Sequence, residues 1–332
     1  MAHLGGALLG ADHPPVVIGE CAGTPSVRAR RRTRLICIVH LRKLRFGWLD
    51  ALVIATLFAL IGYVLYRAHS HFHYNWDWRL IPGYFIRYDA DRGWVLNLLG
   101  QGFLATVRLA LWGSMLAAII GGVMGVCRIS RSLFLRLISR TYVELIRNIP
   151  PLVFIFIFYF FISGQIMPLL NVEDRLAHAD PEALRVLEFL FGPPELLPNF
   201  LSGLICLALF EGAYVTEIVR AGIEAIPKGQ WEAAQALGLH SGQVMGEVIL
   251  PQAVRTVIPP LAGQFISLIK DSSLISLISI QELTFTGTEL AVSSGRVFEI
   301  WLTVAALYFL LCFSLARLFR RLEWWLDRHR QR

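Results

Sequence analysis

Apolar residues run in six long blocks, separated by stretches rich in arginine, proline and glycine. The blocks cover roughly 48–66, 102–126, 145–169, 200–219, 257–277 and 297–319. Each is about 20 residues long, the length an α-helix needs to cross a bilayer core of about 30 Å. Lipid offers the backbone no hydrogen-bond partners, so blocks of this length predict helices, not open strands. The pattern predicts an all-α integral membrane protein with six spans. The first block is the shortest. It is too long for a removable signal peptide, and no small-residue cleavage site follows it.

The connecting segments differ in character. Residues 1–27 are rich in glycine, proline and small residues without periodicity, which predicts disorder. Residues 67–97 are aromatic, with His71, His73, Trp76 and Trp78, and read as an interfacial element because Trp and Tyr settle at the membrane surface. No carboxylate or cysteine framework surrounds the two histidines, so a metal role is disfavoured. The segment 171–198 carries six acids and two arginines, and a helix is predicted over Pro181–Phe191 with proline in its first turn.

Composition supports the membrane reading: 55% of the 332 residues are hydrophobic and 17% charged. Basic residues exceed acidic ones by seven. With the N-terminus inside, inner segments hold 22 of the 31 basic residues: eight in 28–45, five in 128–147, three in 220–255 and six in 317–332. Outer segments hold seven, and Arg108 and Lys270 fall within spans. The positive-inside rule therefore predicts that both termini are cytoplasmic. It also makes the arginine-rich run at 28–34 a topology anchor, not a nucleic-acid site. The five cysteines, Cys21, Cys37, Cys127, Cys206 and Cys312, lack CxxC spacing and read as small apolar or incidental residues.

The inner segment between the fourth and fifth blocks is more than a linker. Pro227 can open a helix, and Gly238 can end one in the left-handed conformation that glycine adopts cheaply. Trp231, Ala234, Gln235 and Gly238 share one helical face, with Glu232 and Gln243 off it. A second short helix is predicted from about Ser241 to Leu250, broken by Pro251. Two short helices joined at a glycine would make a compact docking knob at the membrane face.

Those residues carry a resemblance. Glu232-Ala233-Ala234, then Gly238, then Leu250-Pro251 resemble the EAA signature of ABC importer permeases at its usual spacings, with Val248 where isoleucine is common. YVELIRNIPP from Tyr142, AYVTEIVRAGI from Ala213 and KDSSL from Lys270 resemble segments of the histidine/glutamine/arginine type. The likeness covers about 95–325. It implies a type I, MetI-like permease core of five helices plus one extra N-terminal transmembrane helix. It further implies a second permease subunit, ABC ATPase subunits that each receive an EAA loop, and a periplasmic amino-acid-binding protein. No GxxxxGK[ST] motif occurs, so ATP and Mg are expected on the partner ATPase and no cofactor on this chain. The expected organisation is a basic cytoplasmic segment at 1–45, an extra span at 46–67, a periplasmic segment at 68–96, a permease domain at 97–320 and a basic tail at 321–332. The coupling loop lies at 220–251, and the location is the bacterial inner membrane.

Charges at membrane depth are expensive, so they mark cavities or partners. Glu211 sits mid-span and is a candidate ligand for a substrate ammonium group, or else one half of a structural pair. Lys270, Asp271, Ser272 and Ser273 are candidates for a polar path or a locally unwound stretch, with Lys270 and Asp271 on different sides of the helix. Arg108 is expected to snorkel to the outer headgroups. Near the inner face, Glu144, Arg147, Glu217 and Arg220 are expected to form a charge network, each Glu standing three residues before its Arg. The competing function is a secondary transporter or channel for small polar solutes. Against it, no motif recurs and no inverted pair of broken helices appears. A membrane enzyme would need a cluster such as HExxH or GxSxG, and neither is present.

Overall fold

A computed structural model describes residues 48–71, 74–90 and 93–328. The segment 1–45, with its arginine run and two cysteines, lies outside the described residues, as do His73 and 329–332. The side chain of His71 is likewise outside them. The chain divides into two units, 1–74 and 75–332. The first contains α1 (Trp48–His71), an apolar helix of 24 residues and about 36 Å.

In the second unit, five helices are long and apolar enough to cross a membrane. The chain enters through a helical turn at Trp78–Leu80, α2 (Ile81–Phe85) and an antiparallel hairpin, β1 (Ile86–Asp89) and β2 (Gly93–Leu96). Asn97 then caps α3 (Leu98–Arg128), its side chain accepting from the Leu98 N–H. The cap also ties α2 down: the Asn97 side-chain amide donates to the Gly83 carbonyl at 2.7 Å.

Packing starts from a stripe of small residues on α3. Gly102, Thr106, Ala110, Gly113, Ala117, Gly121 and Gly125 are all buried, three or four positions apart. Against this stripe lies α9 (Leu197–Glu224). A Cβ placed on Gly121 would stand 2.4 Å from the Val215 Cβ, and one on Gly125 2.6 Å from Val219. Only glycine permits that approach. Lipid tails are as apolar as leucine, so close van der Waals contact is what favours helix pairing here. Helix α9 is central: 67% of its apolar window is buried, against 33% or less in the other four spans.

Between these two helices, the chain runs through α4 (Leu133–Arg147), α5 (Pro151–Ile157), a π-helical stretch at Phe158–Ser163, α6 (Gly164–Leu170), α7 (Val172–Ala177) and α8 (Pro181–Phe191). The apolar block beginning at 145 therefore splits. Pro150 is extended, at φ −55° and ψ 138°, as the residue before a proline prefers, and the span starts afresh at Pro151. Helix α8 has the bounds the sequence predicts. Its carboxyl end receives Arg108, which donates to the Glu188 and Phe189 carbonyls at 3.0 and 3.1 Å. Trp112 donates to the Leu190 carbonyl and stacks on Phe191. Arg108, expected to snorkel to the outer headgroups, thus has the backbone carbonyls of α8 as partners.

After α9 come α10 (Lys228–Ala236), the single turn α11 (Ser241–Gln243), a π-helical stretch at Val244–Ile249 and α12 (Leu250–Asp271). The helix from Ser241 onward does not break at Pro251. That proline sits in the first turn of α12, and the chain stays helical through Ile278. The wide turn at 244–249 immediately before it accommodates a ring with no N–H.

Two further helices, α13 (Leu283–Ser294) and α14 (Val297–Arg328), complete the unit. A buried polar knot joins them to α3. One Glu282 oxygen caps α13 by accepting from the Phe285 N–H at 2.9 Å. The other accepts from Tyr308 at 2.6 Å and Thr106 at 3.3 Å. Thr106 in turn accepts from the Leu283 N–H at 3.1 Å. Among described residues the cysteines Cys127, Cys206 and Cys312 are free thiols.

Candidate functional site

The loop after α9 folds as a knob. Pro227 stands at the N-cap of α10, and the helix ends in a Schellman motif. The Leu239 N–H reaches the Ala234 carbonyl, the Gly238 N–H reaches the Gln235 carbonyl, and Gly238 has φ +78°. His240 then starts the next turn with a reciprocal capping box to Gln243. Both turns are fixed by local chemistry and need no partner to form.

The knob stands on an apolar base. Ala234, 3% exposed, packs among Ile223, Ile226, Val244, Ile249 and Ala253, with Trp231, Leu239 and Leu250 half-buried around it. The buried stripe is therefore Trp231, Ala234 and Leu239. Gln235 and Gly238, predicted on the same face, are exposed; Gln235 is next to last in the helix, which ends at Ala236, and Gly238 lies beyond it. Glu232 and Ala233 are exposed as well, and Pro251 lies at the surface of α12. The outward surface thus presents a carboxylate, a small residue and a bare glycine. The base holds them between the end of α9 and the beginning of α12.

Just above the knob lies a charge network. Arg220 donates to Glu217 at 2.5 and 3.0 Å and also to Glu224. Arg128, from the end of α3, stands 3.8 Å from the second Glu217 oxygen. The Glu217–Arg220 pair is as the spacing predicts. Glu144 and Arg147 do not pair. Glu144 accepts from Arg140 at 2.6 Å, while Arg147 lies over the Tyr214 ring, 5.3 Å from its centroid. Arg147 thereby touches α9 through an aromatic face, and the i, i+4 partner takes the carboxylate.

At membrane depth, α9 and α12 bring three polar groups together. Glu211 is fully buried. One oxygen accepts from the Gln264 amide at 2.5 Å. The other oxygen has no donor among the described residues. Asp271 stands near enough for its carboxyl group to interact electrostatically with Glu211. Two acids and an amide around an unmatched oxygen make a site that fits a cationic group. Gln264 escapes the sequence reading because it has no charge; its one signal is a lone amide in an apolar block.

The other predicted path residues behave differently. Lys270 is exposed and Asp271 half-buried, on different sides of the helix as expected. At Ser272 the helix tightens into a 3-10 stretch, Ser272–Ile278. The Ser272, Ser273 and Ser276 hydroxyls each donate three residues back, to the carbonyls of Ile269, Lys270 and Ser273. Ser272 is fully buried, so its hydroxyl stabilises the tightened turn.

Comparison with known proteins places this arrangement. Residues 113–328 match the family described as binding-protein-dependent transport system inner membrane component. The L-cystine transport system permease protein TcyB of Bacillus subtilis is 34% identical over 233 residues, 70% of this chain and 88% of its own. The glutamate/aspartate import permease protein GltJ of Escherichia coli K12 is 32% identical over 66% of this chain and 81% of its own. Among solved structures, an amino acid ABC transporter crystallised with histidines matches at 28% identity. Its TM-score is 0.54, over 68% of this chain and 92% of the other.

Proposed function

The chain belongs to the binding-protein-dependent transport system inner membrane components and is a permease subunit of an amino-acid ABC importer; from that premise we propose that it moves polar amino acids from periplasm to cytoplasm. A periplasmic binding protein delivers the substrate, and a second permease subunit completes the path. Separate ATPase subunits bind ATP and Mg and supply the energy. The chain sits in the inner membrane with both termini in the cytoplasm.

The observation that carries this reading is the knob. Glu232, Ala233 and Gly238 are presented outward on two turns that are locked by their own caps. Its apolar base is built from the end of α9 and the start of α12. A displacement of the knob by a closing ATPase is therefore shared by the two helices that hold Glu211 and Gln264. The charge network at Glu217, Arg220 and Arg128 joins α9 to α3 at the same level and keeps the movement in register. In the path itself, Glu211 and Asp271 meet the substrate ammonium group, and Gln264 holds the Glu211 carboxylate in place.

The test is to purify the chain with its partners, reconstitute it, and measure ATP-dependent uptake of labelled amino acids. Glu232→Ala together with Gly238→Val is expected to release the ATPase and abolish uptake while the permease still inserts. Uptake that continues without an ATPase would instead favour a secondary transporter.

A further inference from the structure

Helix α4 (Leu133–Arg147) is strongly amphipathic, yet only part of its surface meets protein. At 3.6 residues per turn its residues sort onto three faces. Ser139, Val143 and Ile146 form the buried face. Ser139 donates to the Met124 carbonyl of α3 at 2.7 Å, and Tyr142, at the edge of that face, donates to the Leu209 carbonyl of α9 at 2.7 Å. A second face, an arc of roughly 100°, carries Phe134, Leu137, Ile138 and Leu145, and all four are exposed; Phe134 is 70% and Leu145 61% exposed. The third face carries Arg136, Arg140, Glu144 and Arg147, and Arg131 precedes the helix.

The depth of this helix is fixed. Met124 lies about one turn from the end of α3, and Arg128 is separated from Leu133 by four residues. At the other end, only Asn148, Ile149 and Pro150 separate Arg147 from the next span. Both ends are thus tied to spans where those spans leave the bilayer. Helix α3 also exposes apolar side chains toward this end, Ile119 and Val123 among them. Charge agrees with a lipid partner. Arg140 is neutralised by Glu144, whereas Arg131 and Arg136 are exposed and form no ion pair among the described residues.

We propose that α4 is an in-plane membrane anchor: its Phe134, Leu137, Ile138 and Leu145 arc lies in the acyl region of the inner leaflet, and Arg131 and Arg136 bind anionic lipid phosphates. Helices with an apolar face and cationic margins bind membrane surfaces through both terms together. Through Ser139 and Tyr142 this lipid contact reaches α3 and α9. The anionic-lipid content of the membrane therefore bears directly on α9, which carries Glu211.

The test uses the full chain in complex with its partner subunits, with native cysteines replaced and bimane attached at Phe134→Cys. Nanodiscs contain phosphatidylglycerol and phosphatidylcholine, with bromine on the acyl chains of one or the other. Bimane quenching is expected, and more strongly when the bromine is on phosphatidylglycerol. In R131Q/R136Q the quenching should persist and the preference should vanish, while R131K/R136K should retain it. Equal quenching by both lipids in the starting protein overturns the arginine assignment. No quenching in this complex overturns the anchor and makes the arc a protein interface.

Discussion

Replacing Gly238 separates backbone strain from contact with a partner. Gly238 has φ +78°, and a Cβ built there meets nothing within 4 Å. Within this chain the substitution therefore has no steric cost. What remains is the left-handed conformation, about 1–2 kcal/mol for a residue with a Cβ and less for asparagine. That shifts the balance between capped and frayed α10 by roughly 5- to 30-fold. The Schellman bonds from Leu239 and Gly238 and the exposed position of Glu232 all depend on the capped form. The series Gly238→Asn, Gly238→Ala and Gly238→Val should therefore show graded loss, smallest for asparagine. Membrane insertion, ATPase retention on the purified permease and substrate-stimulated ATP hydrolysis should be measured for each. Insertion is expected to be normal throughout, with retention or stimulation falling along the series. A loss that instead tracks side-chain size, smallest for alanine, would show that bulk at a contact surface, not strain, is the cause. Normal retention and coupled transport in Gly238→Val would refute the docking role outright.

Three more outcomes follow from the same geometry. Glu211→Gln keeps the shape of the buried side chain and removes its charge, so uptake should fall with complex yield unchanged; a wild-type rate would mean that Glu211 does not meet substrate, and failed assembly would make it a structural partner of Gln264. Gly121→Val should destabilise the α3–α9 pair by about 1–3 kcal/mol through overpacking against Val215; a lower melting temperature in detergent, partly restored by Val215→Ala, is the signature, and an unchanged melting temperature would contradict it. A reporter active only in the periplasm should stay silent when fused to either terminus, and a strong signal at one end would overturn the six-span topology.

Much of this was legible in the chain itself. The long apolar blocks announce the spans because nothing else in a protein needs 20 apolar residues in a row. Gly238 was readable as a helix terminator because few other residues take positive φ at low cost. Helix α4 is hidden because its last turn runs into an apolar block and its arginines read as a topology signal. The block boundary was really set by Pro150 and Pro151. Helix α13 was hidden for the opposite reason: its threonines, glycine and serines are poor helix formers, and it is stabilised by a cap from Glu282 and by burial against α3 and α14. The Glu211–Gln264 contact joins residues 53 apart in sequence, and no local pattern encodes it. Glu144 shows the limit of spacing rules, since Arg140 and Arg147 were both in reach and only tertiary packing on Tyr214 decided between them.

The clasps around α3 also set an order of events during synthesis. Arg108 enters the membrane with α3, but the carbonyls it needs lie 80 and 81 residues downstream. Thr106 waits longer, for Glu282, 176 residues away. A translating ribosome adds on the order of 5–20 residues per second, so the arginine spends seconds without its native partners. During that interval its guanidinium is left to water or headgroups. Helix α8 then draws the arginine in, and the arrival of α13 and α14 closes the knot. The first span of the core is thus the last to gather all of its partners.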